Sequence, residues 1–200
     1  MKNFTFFMGF RTMEKKKLRD IRRKNILSKY YFIRHGEADF SEANTKIYQG
    51  WGFNMQPLSK KGMEQIKEAA KDERIQNAQI IVSSPYGRTM HTASILAKEL
   101  RLDVVVESEL HEWVADEEYK YLSDEDAMNS FEEFSKNRGI KNENRRYAWE
   151  TADSIAKRTK AVLEKYKDYD EVIIVCHGTV MQYFLGIDHP ENGQIEEYVL

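Results

Sequence analysis

Two short apolar runs, residues 30–33 and 172–176, each lead into a His-Gly dipeptide, His35 with Gly36 and His177 with Gly178, and these runs constrain the fold most. Both are too short for a typical helix and rich in aromatic or β-branched residues, so both read as buried strands. Helical and strand signals alternate between them, which predicts a largely parallel sheet whose ligands bind beyond the carboxyl ends of its strands. Both dipeptides fall at such ends, and matching contexts for two histidines point to one shared site. The glycine after each histidine permits a sharp turn or a close backbone approach to a ligand.

The remaining segments fit one α/β pattern. Further strands are predicted at 79–82 and 103–106, with an edge strand at 195–199. A helix capped by Ser59 runs to about Asp72, with Met63, Ile66, Ala69 and Ala70 at helical spacing. A second helix spans 86–100, and Ser123 with Asp126 approximates a capping box for a third that ends near Lys136. Thr151 caps a fourth, with Ile155, Ala156, Val162 and Leu163 toward the core, and a short fifth covers 179–184. Residues 37–57, with Gly50, Trp51, Gly52 and Phe53, read as a ligand-facing loop, and residues 110–121 and 139–146 also read as loop. The expected fold is a three-layer α/β sandwich with a mostly parallel central sheet. A small helical and loop cap, residues 113–150, is expected over the active site, within a body covering residues 27–200.

Composition narrows the class. With 41% hydrophobic residues in 200 there is ample material for a packed core. No uninterrupted apolar stretch reaches the roughly 18 residues of a membrane span. Cys176 is the one cysteine, which excludes an intramolecular disulfide and a cysteine-rich zinc module and suits a reducing, cytoplasmic setting. Lying in an apolar run, it reads as inert core. The net charge of −2 divides unevenly: residues 1–26 carry nine Lys and Arg against two acids, +7, leaving 22 against 31, −9, for residues 27–200. That basic head reads as a solvated extension, with nucleic acid as the disfavoured partner. Its phenylalanines, Phe4, Phe6, Phe7 and Phe10, precede the basic residues, the wrong order for a signal peptide. Met8 and Met13 leave an internal start open.

Five motifs in order carry a resemblance. They are Arg34-His35-Gly36-Glu37; Leu58-Ser59 with Gly62; Ser83-Ser84-Pro85 with Arg88, Thr92 and Ala93; Leu110-His111-Glu112; and Val175-Cys176-His177-Gly178. Over residues 29–200 the chain resembles the histidine phosphatase superfamily, which includes cofactor-dependent phosphoglycerate mutases and many small phosphatases. The resemblance implies that His35 is the nucleophile, that Glu112 protonates the leaving group and then deprotonates water, and that Arg34, Arg88 and a protonated His177 hold the phosphate. It implies no cofactor or metal and a small phosphate monoester as substrate, with oligomeric state open.

Phosphomonoester cleavage needs such a set: an in-line nucleophile, donors on the equatorial oxygens and an acid for the alkoxide. Glu107 and Glu109 compete with Glu112 as the acid, though only Glu112 stands in the Leu-x-Glu frame. His91 reads as packed or solvated, His111 as pointing away, and His189 as part of a polar turn.

The chain departs from the mutase pattern at Ala38, Asp39, Phe40 and Ser41, where mutases carry a small residue followed by Thr-Trp-Asn. Ser41 is left as a weaker phosphate contact, Gly50 and Trp51 match a mutase Gly-Trp step, and Asp39 adds a negative charge near an anion site. The expected activity is therefore phosphatase, with mutase-type transfer or a silent phosphate-binding domain as alternatives.

Overall fold

The computed structural model describes residues 27–42, 52–120 and 122–200; the basic head 1–26, the stretch 43–51 that holds Gly50 and Trp51, and Tyr121 lie outside the described residues. In chain order the elements are β1 (Lys29–Arg34), α1 (Gly52–Met55), α2 (Lys60–Ala69), β2 (Ile80–Ser83), α3 (Gly87–Leu100), β3 (Val104–Val106), α4 (Asp124–Lys136), α5 (Ala152–Lys165), β4 (Glu171–Cys176), α6 (Gly178–Leu185) and β5 (Ile195–Val199). The sheet order is β3-β2-β4-β1-β5, with β5 antiparallel to β1 and the other pairs parallel. All five strands expected from the apolar runs form.

Strand alternation sorts the side chains into two cores. Tyr30, Phe32, Val82, Val172 and Ile174 face one way, against Phe134 and Trp149, Ile155, Val162 and Leu163 of α5, and Val180 and Met181 of α6. Tyr31, Ile33, Ile81, Ile173 and Val175 face the other way, against Ile66 of α2 and Ala93 and Leu96 of α3. Helices therefore cover both faces, which gives the three layers of an α/β sandwich. Cys176 is buried in the first core. Each fully buried Val, Ile or Leu here contributes about 1.5–3 kcal/mol relative to an exposed position.

The predicted caps form as the residue types require. Ser59, Ser123 and Thr151 accept from the backbone amides of Gly62, Asp126 and Ser154 at 3.0–3.1 Å, and the Ser123 hydroxyl also donates to the Asp126 carboxylate at 2.9 Å. Within 37–57, where a continuous loop is expected, Gly52–Met55 forms a helical turn and Ala38 bridges Leu58. Leu110 closes a 3-10 turn, Ser108–Leu110, that sequence periodicity does not reveal because a single turn is shorter than any repeat. No helix among the described residues is long and apolar enough to cross a membrane.

Candidate active site

Strand register brings the motifs together. Arg34 at the end of β1 pairs with Cys176 at the end of β4, and Ser83 of β2 pairs with Val175. The chains continue side by side: the His35 amide donates to the Cys176 carbonyl at 3.1 Å, and the Ser84 amide to the Val175 carbonyl at 3.0 Å. His35, His177 and Ser84 thus leave three adjacent strands at the carboxyl end of the sheet. The two imidazole centroids are 5.3 Å apart.

His35 is held by both ring nitrogens. Its Nδ1 lies 2.7 Å from the Gly36 carbonyl, which can only accept, so the ring proton sits on Nδ1. The lone pair is then on Nε2, and Arg88 Nε donates to it at 3.1 Å. Burial, then the charges of Arg88 and Arg34, push the His35 pKa down to about 3, so the ring is neutral near neutral pH. Asn192, from the turn before β5, donates to the His35 carbonyl at 2.9 Å.

The arginines occupy different supports. Arg88, the second residue of α3, is buried, donates through Nη1 to the Phe53 carbonyl at 3.0 Å, and lies 5.0 Å over the Tyr86 ring. Arg34 donates through Nη1 to the Pro190 carbonyl, while its buried Nε has no hydrogen-bond partner among the described residues. Burial lowers the pKa of both guanidiniums, and the carboxylate of Glu112 opposes that shift in both.

His177 is fully buried. Its Nε2 is 2.7 Å from Ser84 Oγ, whereas Nδ1 is buried without a partner among the described residues. Burial first, then Arg88 and His35, hold its pKa well below the ordinary histidine value, so the ring is neutral in the protein alone rather than the cation expected beside an anion. A phosphate dianion acts in the opposite direction. His177 is also the N-cap of α6, and its side chain makes no cap hydrogen bond.

Glu112 sits partly buried on the segment after the 3-10 turn, its Oε1 accepting from the Trp113 amide at 2.8 Å, and its charge acts on Arg34, Arg88 and His189. A buried pair, Arg158 Nε to Glu150 Oε1 at 2.6 Å, braces this segment: Arg158 also donates to the Glu109 carbonyl, and Trp113 Nε1 to the Glu150 carbonyl at 2.9 Å. Glu107 is engaged elsewhere, by Lys165 at 2.7 Å and the Tyr166 hydroxyl at 2.8 Å, and the Glu109 side chain is exposed. Of the three candidate acids, Glu112 is the one whose field reaches both arginines.

Other predicted residues separate from this group. The Asp39 carboxylate is turned onto Ser41, whose amide it accepts at 2.9 Å; the Ser41 side chain first and this amide second hold the Asp39 pKa below its ordinary value, and Ser41 itself is exposed. Gly50 and Trp51 lie outside the described residues. His91 accepts from the Leu58 amide at 3.2 Å, and His111 bonds the Glu112 carbonyl at 2.6 Å and the Tyr119 hydroxyl at 3.2 Å. Trp113 packs on Phe131 and Phe134, whereas Phe40 and Phe53 form an exposed pair with centroids 5.8 Å apart. Among the described residues no three His, Cys, Asp or Glu side chains cluster to hold a metal ion.

Sequence reasoning missed three contributors. Ser84 was visible only as part of Ser-Ser-Pro, with nothing to link it to His177. Asn192 and His189 come from the turn before β5, where local pattern carries no sign that Asn192 meets His35, 157 residues away, or that His189 packs on Gly178.

The model for the histidine phosphatase superfamily (branch 1) matches residues 30–190. The chain is 38% identical over 84 residues to the Proteus mirabilis protein named "Probable phosphoglycerate mutase GpmB", a match covering 41% of this chain and 36% of that one. An Escherichia coli protein of the same name is 34% identical over 82 residues, again 41% and 36%. The chain therefore spans little more than a third of these relatives. Among solved structures, a Bacillus anthracis phosphoglycerate mutase superposes with TM-score 0.63 at 18% identity, covering 90% of each chain. A mycobacterial glucosyl-3-phosphoglycerate phosphatase gives 0.61 at 18%, covering 86% of this chain and 89% of that one. At these identities the structural likeness is one of fold.

Proposed function

The chain belongs to the histidine phosphatase superfamily, branch 1, and from that premise we propose that it hydrolyses a phosphate monoester through a phosphohistidine on His35. The observation that carries this reading is the state of His35: a neutral imidazole with Nδ1 tied to the Gly36 carbonyl and the Nε2 lone pair facing the guanidinium of Arg88.

In the first step His35 Nε2 attacks phosphorus and the bond to the leaving oxygen breaks, while the Glu112 carboxyl gives its proton to the departing alkoxide. In the second, Glu112 takes a proton from water, the hydroxide attacks phosphorus, and the phosphorus–nitrogen bond breaks to release inorganic phosphate and neutral His35. Arg34 and Arg88 bind equatorial oxygens through their planar donor sets. Arg88 Nε must leave the lone pair it now occupies, and a phosphate oxygen is the natural acceptor to draw it away.

His177 supports the same reading as a neutral ring. In the tautomer in which the Ser84 hydroxyl donates to Nε2, the ring proton rests on Nδ1, the nitrogen that has no partner among the described residues. A buried, unpaired donor costs about 1–3 kcal/mol, and a phosphate oxygen would satisfy both this one and Arg34 Nε. Ser41, Gly50 and Trp51 stay as proposed substrate contacts of second rank, and a small phosphorylated metabolite is the proposed substrate class.

The test is direct. His35→Ala should abolish turnover of an aryl phosphate, and the wild type, mixed with labelled substrate and quenched, should carry an acid-labile phosphoryl group. Wild-type turnover by the variant overturns the reading. Phosphoglycerate mutase activity is the second reading, favoured by the names of the curated relatives; phosphoryl exchange between positions of phosphoglycerate, without release of inorganic phosphate, would establish it instead.

A further inference from the structure

A third imidazole stands at this site. His189, in the turn between α6 and β5, lays its ring against the α-carbon of Gly178, where an added Cβ would run into Cε1 and Nε2. Its Nδ1 lies 3.3 Å from Gln182 Oε1, one helical turn along α6 from Gly178. The ring is thus strapped along the first turn of the helix that His177 caps.

The turn that carries it is fastened to the phosphate end of β1. Pro190 accepts from Arg34 and Asn192 donates to the His35 carbonyl, which ties the backbone after His189 to the end of β1. Its electrostatic partners are Arg34 from β1, Glu112 from the segment after the 3-10 turn and Glu191 from its own turn, and its charge in turn acts on His35. Gly178 and Gln182, which face it from α6, are uncharged. Unlike the fully buried His177, His189 is partly open to solvent and can exchange a proton. With Gln182 Oε1 taking the Nδ1 proton, Nε2 is the uncommitted nitrogen beside the site.

We propose that His189 is a substrate-binding residue, its Nε2–H donating as the imidazolium to an oxygen of the bound phosphoryl group. This rests on the hydrolase reading above, because it needs a phosphate ester bound at His35. In the protein alone, burial and the Arg34 charge disfavour the imidazolium, with Glu112 and Glu191 opposing them. A bound dianion reverses the balance, so binding takes up a proton at His189 and weakens as pH rises through neutrality. The same reasoning explains the second His-Gly glycine by the space it leaves for a ring.

The experiment uses tungstate, a phosphate mimic that stays dianionic near neutral pH, with the full chain and its His189→Gln and His189→Ala variants. Binding is measured by calorimetry between about pH 6 and pH 8, in buffers of different ionisation heat, and the His189 Hε1 resonance is titrated with and without tungstate. At the acid end the wild type should bind about tenfold more tightly than either variant, the scale of one charge-assisted hydrogen bond. The gap should close toward the alkaline end, proton uptake should be smaller in the variants, and the His189 titration midpoint should rise on binding. Equal affinity and equal proton uptake in His189→Gln, or a midpoint that tungstate does not move, overturns the proposal; the wild-type resonance decides even if both variants fold poorly. A wild type that forms the phosphoenzyme while these differences are absent refutes only the role of His189. A wild type that neither binds tungstate nor becomes phosphorylated refutes the hydrolase reading as well.

Discussion

The neutral state of His35 should be readable as instability in acid. In the folded chain its pKa is about 3, against 6.5 for a free histidine. The unfolded chain therefore takes up a proton below pH 6.5 that the folded chain refuses, and stability falls as pH drops, by about 1.4 kcal/mol per unit. The loss attributable to this ring is absent above 6.5, reaches about 2 kcal/mol at pH 5, and levels off only below the folded pKa. Carboxylates also lose stability in acid, and His177 has the same sign, so the measurement is a difference. Urea unfolding of the wild type and of His35→Asn, from about pH 7.5 to about pH 5, cancels the shared groups that do not interact with His35. Wild-type stability minus variant stability should fall by about 2 kcal/mol across that range. A constant difference would mean that His35 titrates alike in both states and is not the desolvated, arginine-flanked base described above. The same property keeps His35, the proposed nucleophile, unprotonated at pH 5.

Three further outcomes test its supports. Ser84→Ala removes the partner of His177 Nε2 and should lower both stability, by about 1–3 kcal/mol, and turnover of an aryl phosphate; melting and kcat measured together check it, and an unaffected kcat would refute the link to His177. Arg158→Met strands the buried Glu150 carboxylate and should cost about 3–5 kcal/mol in urea unfolding, with Glu150→Gln added to it restoring part of the loss; a double variant no better than the single one refutes the pairing. Cys176, buried and with its thiol pKa pushed up by that burial, should resist iodoacetamide in the native chain and react once unfolded. Mass spectrometry checks this, and rapid native alkylation would overturn the inert-core assignment.

The five strands were legible because each is a short β-branched or aromatic run bounded by turns, and three of the helices because Ser59, Ser123 and Thr151 announce their starts. The isolated turns Gly52–Met55 and Ser108–Leu110 were not, since one turn has no period to detect. The candidate site was legible where a short motif carries it: Arg34 with His35, Arg88 after Ser-Ser-Pro, and His177 before Gly178. It was opaque wherever a contact joins distant segments, as between Asn192 and His35 or between His189 and Gly178. Asp39 looked adverse to an anion in sequence, yet its carboxylate is committed to Ser41. Only the backbone's path could reveal that.

The two His-Gly dipeptides, alike in sequence, solve different packing problems. A Cβ at Gly36 would strike the Gly62 carbonyl, and one at Gly62 the backbone of Glu37, so that pair lets α2 close against the end of β1. Glu37 then locks the contact, accepting from the Ser59 hydroxyl at 2.8 Å and pairing with Lys61 at 2.7 Å. At Gly178 the missing side chain is replaced by the ring of His189. Gly178→Ala should therefore act through that ring: it should weaken tungstate binding in the wild type and much less in His189→Ala, where the clash has gone. Calorimetry on the four proteins of this cycle isolates the coupling. Equal losses in both backgrounds would mean that Gly178 serves the backbone, as Gly36 does, and that the ring beside it is incidental.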